Sequence, residues 1–287
     1  AFDVMGDIIL STAAQQYGGF TVPEVDKILE PYAEKSYEKY KKEYFDITDE
    51  FINGLSQNHL IDKAAEYATD KVQRDFEQGW QGIEMKLNSV GSSRGDYPFV
   101  TMTIGLATST LGKMAAISLL KVHSEGQGKK GFKRPVLFPK IVFMYDKNLH
   151  GDGSYKYPSA DVFNAGLDCS SKTMYPDWLS LTGDGYVAEM YKKYGRVVSL
   201  MGCRAFLSPW YEKGGMHPVD ENDKPIFEGR FNLGVVSLHL PMILAKARRE
   251  SKDFYEVLDY YLELIRGLHK RTYDYIGEFR ASVNPVA

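Results

Sequence analysis

The chain has 287 residues, 44% hydrophobic and 25% charged, the balance of an ordinary globular protein rather than a disordered one. Its 35 Lys+Arg against 38 Asp+Glu leave a net charge of −3. That excludes nucleic-acid binding through bulk positive charge, though not through a local basic patch. The longest apolar stretch, Leu233 to Ala245, is broken by Ser237, His239 and Pro241 and is too short to span a bilayer.

In chain order, Ala1 to Gln16 reads as a helix, with Phe2, Met5, Ile9 and Ala13 at helical spacing and Gly18-Gly19 as its stop. A second helix is expected from Glu24 to Tyr44 and a third from His59 to Leu87. Asn88 to Asp96 is rich in turn residues and reads as a loop. Beyond it the pattern alternates. Strands are expected at Phe99–Ile104, Val136–Tyr145, Val197–Met201 and Leu233–Leu240. Helices are expected at Leu111–Val122, Ser159–Ser170, Met242–Glu250 and Phe254–Tyr275. Apolar strands alternating with helices predict an α/β fold with a parallel sheet behind an N-terminal helical region.

Cys169 and Cys203 are the two cysteines. They cannot form a disulfide framework, and with no Cys-x-x-Cys they offer no cysteine-based zinc site. The six histidines show no metal-binding spacing, so no metal ligand is assigned. With no signal peptide and no glycosylation sequon, a reducing cytoplasm is the expected location. The chain opens on Ala1, already inside an apolar element, which suggests an N-terminus made by truncation or processing.

Gly105-Leu-Ala-Thr-Ser-Thr-Leu-Gly112-Lys113 follows a strand and opens a helix. Six residues separate its glycines and Met114 follows the lysine, so it is no P-loop. An anion seat at the helix N-terminus and ordinary capping both remain open. Lys121 to Arg134 reads as a solvated basic loop or a polyphosphate attractor. In Arg196 to Pro209 an apolar run breaks at Gly202-Cys203, and a polar insertion carries the chain to Gly229–Val236. Such a finger would put Cys203 at a loop tip with Asn232 close by; the alternative is a small buried thiol.

Met201-Gly-Cys-Arg204 with Phe206-Leu-Ser208, then Gly229-Arg-Phe-Asn-Leu-Gly-Val-Val-Ser237 and Leu240-Pro241, resembles the finger-loop region of the anaerobic, class III ribonucleoside-triphosphate reductases. Gln16-Tyr-Gly-Gly19, Pro98-Phe-Val-Thr101, Phe138-Pro-Lys140, Cys169-Ser-Ser-Lys172 and Met174-Tyr-Pro-Asp177 resemble the same family in the same order. The resemblance implies part of a ten-stranded α/β barrel of the glycyl-radical enzyme type. Residues 1–90 would be N-terminal helices for dimerisation and effector binding. Residues 91–287 would be a partial barrel with its finger loop near 200–232.

The resemblance also implies radical reduction of ribonucleoside triphosphates. Cys203 would be the catalytic thiyl cysteine and Asn232 a substrate-binding residue, with Cys169 structural. A thiyl is a neutral hydrogen abstractor and needs neither a neighbouring base nor a depressed pKa. The full enzyme would use a glycyl radical, formate or a thiol reductant, and a C-terminal zinc site. Its partners would be deoxynucleotide and ATP effectors, a radical-SAM activating enzyme, the remainder of the reductase chain and a second copy. The glycyl-radical motif and zinc cysteines are missing here, so the chain reads as an internal piece of the catalytic subunit, inactive alone. The alternative is a nucleotide-binding and dimerisation module without catalysis.

Overall fold

A computed structural model of the protein describes residues 1–15, 18–48, 57–89, 91, 95, 97–200, 209–229 and 234–280. These divide into two compact units. One comprises Ala1–Ala14 with Gly19–Gly229, the other Gln15–Gly18 with Arg230–Ala287.

The first unit begins with helix α1 (Phe2–Gln15), the short strand β1 (Phe20–Val22) and two long helices, α2 (Val25–Thr48) and α3 (Gln57–Ser89). Tyr44 meets Tyr67, and the Tyr40 hydroxyl donates to Asp75 at 2.7 Å, so α2 and α3 run antiparallel. Then follow β2 (Val100–Ile104), α4 (Thr110–Glu125), β3 (Lys140–Tyr145), α5 (Ala160–Thr173), β4 (Asp177–Ser180) and α6 (Tyr186–Tyr194). The four strands form one parallel sheet in chain order β1-β2-β3-β4.

Every residue of β2 is buried, as expected of a strand covered on both faces. One core joins sheet and helices. Trp80, Phe76 and Leu29 from α2 and α3 pack with Met102 and Ile104 of β2, Leu119 of α4 and Phe143 of β3. Trp80 also donates its indole N–H to the Ala115 carbonyl at 3.1 Å, so its one polar atom is satisfied inside. The parallel α/β arrangement with N-terminal helices is therefore present.

Several expected details differ. Strand β3 starts at Lys140, not Val136. Among the described residues, neither 197–200 nor 234–239 is a strand. The second stretch instead leads into helix α7 (Leu240–Glu250), because His239 Nδ1 accepts the Met242 N–H at 3.2 Å and Pro241 sits in the first turn. Four tyrosines of α2, Tyr32, Tyr37, Tyr40 and Tyr44, are largely engaged within the chain. Tyr37 and Tyr40 pack on the core, Tyr44 packs on Tyr67, and Tyr32 alone of these four is more than half exposed.

The second unit holds α7 and α8 (Phe254–Gly277). Asp253 caps α8 by accepting from Tyr255 N–H at 2.8 Å and Glu256 N–H at 3.3 Å. Ile243, Ala247 and Val257 form its small core. Among the described residues, no helix is long and apolar enough to cross a membrane.

Candidate functional site

In a parallel α/β sheet, chemistry gathers where the strands end. The sequence puts a glycine at the end of β2, and Gly105 takes φ 116°; a Cβ there would lie 2.9 Å from the Met144 carbonyl oxygen. A neighbouring strand thus approaches where a side chain would stand.

The exposed backbone of this turn is held from two sides. Asp26, in the first turn of α2, is fully buried and uses Oδ2 to accept the N–H of Gly105 at 2.9 Å and of Ala107 at 3.4 Å. Its other oxygen accepts the Lys27 N–H at 3.0 Å. Burial pushes the Asp26 carboxyl up to about 6, against the pull of those N–H donors. On the far side, His150 Nε2 donates to the Gly105 carbonyl at 2.9 Å and Nδ1 accepts the Asp146 N–H at 3.0 Å. Burial pushes His150 below its usual range, in keeping with this neutral tautomer.

Thr103, also buried, accepts the Glu24 N–H at 2.7 Å and so ties the start of α2 to β2. Neither Asp26 nor His150 was singled out from the sequence. Their partners are backbone groups remote in the chain, which no residue spacing reveals.

The anion reading of Gly105–Lys113 gives way to capping. Ser109 Oγ accepts the Gly112 N–H at 3.0 Å, Lys113 is engaged by Asp161 at 2.9 Å and the Pro158 carbonyl at 3.1 Å, and the Glu30 carboxylate approaches Gly112. In the basic loop, Gln127 and Arg134 exchange backbone hydrogen bonds at 2.9 and 2.8 Å, while Lys121 and Lys133 pair with Glu77 and Glu125.

Cys203 and Asn232 lie outside the described residues, so their mutual placement is not part of this geometry. The described flanks of Cys203 are ordered by their own contacts. Val197 packs with Leu106, Met144 and Leu181, and Val198 packs with Met190 and Phe227. The Thr21 hydroxyl donates to the Leu200 carbonyl. Arg196 forms an ion pair with Glu228 and lies over the Phe227 ring, so the run that leads to Cys203 begins beside the end of the polar insertion.

Inside the insertion, β5 (Trp210–Tyr211) pairs antiparallel with β6 (Pro225–Ile226). Asp223 closes the intervening loop by accepting from Lys213, Gly214 and Val219 N–H groups at 2.9, 2.8 and 3.1 Å. Cys203 precedes this hairpin and Asn232 follows it. The other cysteine, Cys169, is buried in α5 with Sγ 3.6 Å from the Thr173 hydroxyl, and burial pushes its thiol up. It is a packed, protonated thiol.

No group of three His, Cys, Asp or Glu that could hold a metal ion occurs among the described residues. A cleft of about 500 Å³ opens between α1, α2 and α3, lined among others by Phe2, Tyr32, Lys35, Ser36 and Lys86.

A family model described as anaerobic ribonucleoside-triphosphate reductase matches residues 1–287. The chain is 33% identical over 286 residues to the anaerobic ribonucleoside-triphosphate reductase of Haemophilus influenzae, covering 99% of this chain and 36% of that protein. To the proteins of the same name from Escherichia coli and phage T4 it is 33% and 34% identical, over 92% and 84% of this chain and 33% and 35% of theirs. The chain thus spans about a third of the length of the curated relatives it matches.

Proposed function

The chain belongs to the anaerobic ribonucleoside-triphosphate reductase family, and from that premise we propose that it carries the catalytic-subunit region that performs hydrogen abstraction. Cys203 is the thiyl-forming cysteine at a finger-loop tip, and Asn232 hydrogen-bonds the substrate. The surrounding fold is part of a ten-stranded barrel. The observation that carries this reading is the family match over the whole chain, Cys203 and Asn232 included. The ion pair between Arg196, ahead of Cys203, and Glu228, at the end of the polar insertion, supports a finger between them.

In this scheme a radical on a glycine elsewhere in the reductase takes the hydrogen atom of the Cys203 thiol. The thiyl then takes the 3′-hydrogen of a ribonucleoside triphosphate, and the 2′-hydroxyl leaves as water. Reduction requires two electrons from formate or a thiol. The residues present do not fit the zinc site of the family, since one of the two cysteines is packed in α5. That site would belong to the remainder of the reductase chain, and no step here passes through it.

A radical-SAM activating enzyme, deoxynucleotide and ATP effectors, a homodimer and a cytoplasmic setting complete the proposal. Residues 1–90 would serve dimer and effectors, and 91–287 the partial barrel. These 287 residues alone should not reduce nucleotides. Supplying the glycyl-radical segment in trans, with activase, S-adenosylmethionine and formate under anaerobiosis, should restore turnover. Cys203→Ser should then abolish it, because a serine O–H bond is too strong for a glycyl radical to oxidise. Asn232→Ala should cost only on the order of 1–3 kcal/mol. Turnover by the chain alone, or by a reconstituted Cys203→Ser variant, would refute the radical assignment.

The cleft between α1, α2 and α3 favours a second reading, a nucleotide-binding module without catalysis. Calorimetry with dATP, dGTP and dTTP separates the two: binding with no turnover after reconstitution supports the module.

A further inference from the structure

Helix α4 ends at Glu125 and strand β3 begins at Lys140. In a parallel sheet this connection lies at the strand starts, the end opposite the Gly105 turn. Between the two elements the chain forms a tight hairpin. Gln127 and Arg134 exchange backbone hydrogen bonds at 2.9 and 2.8 Å, and the Phe132 N–H donates to the Lys129 carbonyl at 2.8 Å. At its root a Cβ on Gly126 would stand 2.3 Å from the Arg134 carbonyl oxygen, so only glycine lets the two arms come this close.

Helix α3 holds both ends of the segment. Glu84 and His123 are buried. Glu84 Oε1 accepts from His123 Nδ1 at 2.9 Å, and Oε2 accepts from the Gln127 side-chain amide at 2.8 Å. One turn on, Asn88 Oδ1 accepts the N–H groups of Leu137 and Phe138 at 2.9 and 3.1 Å, and its amide donates to the Phe138 carbonyl at 2.7 Å. The hairpin is therefore a fixed projection rather than a slack loop.

What it projects is basic and aromatic. Gly128 to Pro135 are all exposed, and Phe132 is 81% exposed. No acidic residue occurs between Glu125 and Asp146. Lys133 is paired with Glu125, and Glu77 is taken by Lys121. Among the described residues Lys129, Lys130 and Arg134 form no ion pair. A phenylalanine ring held out among cations gains free energy only when something covers it.

We propose that this hairpin is a docking element for a protein that presents an acidic groove with an apolar floor: Phe132 enters the groove, and Lys129, Lys130 and Arg134 pair with carboxylates on its rim. Aromatic and arginine anchors carry much of the energy of such interfaces, and a shape fixed beforehand avoids the cost of ordering it on contact. The surface is convex, with open space around Gly131, so it offers no pocket to a small anion. A single nucleic-acid strand binds in a basic groove with successive stacking rings, whereas here one ring stands on a projection. The inference goes beyond the reductase reading and makes no use of Cys203.

The probe is a fluorescein-labelled peptide of repeated Glu-Glu-Leu triplets, titrated with the 287-residue chain and followed by anisotropy. Binding should saturate and weaken roughly tenfold between about 20 and 200 mM NaCl. Lys129→Glu combined with Lys130→Glu should weaken it roughly tenfold, and Phe132→Ser roughly fivefold with an unchanged salt slope. Lys39→Glu combined with Lys42→Glu on α2, an equal change of net charge at exposed positions, should leave it unchanged. All these side chains are solvated, so each variant should keep the wild-type melting temperature.

Absence of saturable binding, equal binding by the charge-reversed hairpin, or equal loss from the α2 variant overturns the proposal. So does a polyglutamate peptide without leucine that binds as tightly, or an oligothymidylate of equal charge that displaces the peptide at lower concentration. Those two outcomes would mark a simple anion attractor and a nucleic-acid contact. An error in the radical assignment moves none of these readings.

Discussion

Gly105 and Asp26 illustrate how single residues set this fold's tolerance. At φ 116° and with the Met144 carbonyl 2.9 Å from a would-be Cβ, Gly105→Ala meets both backbone strain and a clash with main chain that cannot rotate away. It should cost about 2 kcal/mol or more, read as a lower urea midpoint at unchanged slope. For Asp26, the folded carboxyl binds its proton more tightly than the unfolded one, with pKa about 6 against 3.8. The group therefore contributes stability that is fully present below about pH 4 and is lost as pH rises through about 6. Going from pH 7 to pH 4, wild type should gain up to ~3 kcal/mol relative to Asp26→Asn. Urea unfolding of both proteins at the two pH values checks the sign. An unchanged difference would mean that the ionised carboxylate is fully compensated by its N–H donors.

At the scale of elements, the helices rest on identifiable end groups. Ser109 at α4 and Asp253 at α8 each satisfy N–H groups that helix geometry leaves unpaired. Ser109→Ala and Asp253→Ala should each cost about 1 kcal/mol in thermal or urea unfolding. The long amphipathic helices and the buried strands β2 and β3 were legible because burial on a regular period forces an apolar pattern onto the sequence. Strands β1 and β4 were not. Phe20-Thr-Val22 and Asp177-Trp-Leu-Ser180 are short sheet edges with few buried residues, so no apolar run is demanded of them. Helix α6 escaped for a related reason: of its nine residues, with Lys192 and Lys193 in the last turn, only Ala188 and Met190 are fully buried, while Val187, Tyr191 and Tyr194 pack half-buried. The apolar runs at Val197 and Leu233 misled in the opposite direction, since such short runs are compatible with extended or helix-entry segments as well as strands.

For the whole molecule, the family was legible through the ordered motifs, whereas the Asp26–Gly105–His150 clamp was invisible because only the fold brings those residues together. Association follows a similar logic. With Tyr37, Tyr40 and Tyr44 engaged within the chain, a homodimer through the N-terminal helices would have to use the apolar side chains still exposed there, such as Val4, Ile8, Ile28, Tyr32 and Ile61. Sedimentation at micromolar concentration should show a dimer that weakens in Tyr32→Glu; monomer alone would remove it from the proposal. The sheet's chain-order topology also bears on how the protein reaches its native state. Phe20 pairs with Val100, so the first ladder closes only after some eighty residues have been gathered, and the entropy of that closure must be met before any strand contact repays it. The antiparallel α2–α3 pair shortens the journey: once zipped along Tyr44–Tyr67 and Tyr40–Asp75, it delivers the two strands side by side. Pulse-labelling during refolding should accordingly find amides of α2 and α3 protected before those of β1, making the helical hairpin the kinetic gate to the sheet.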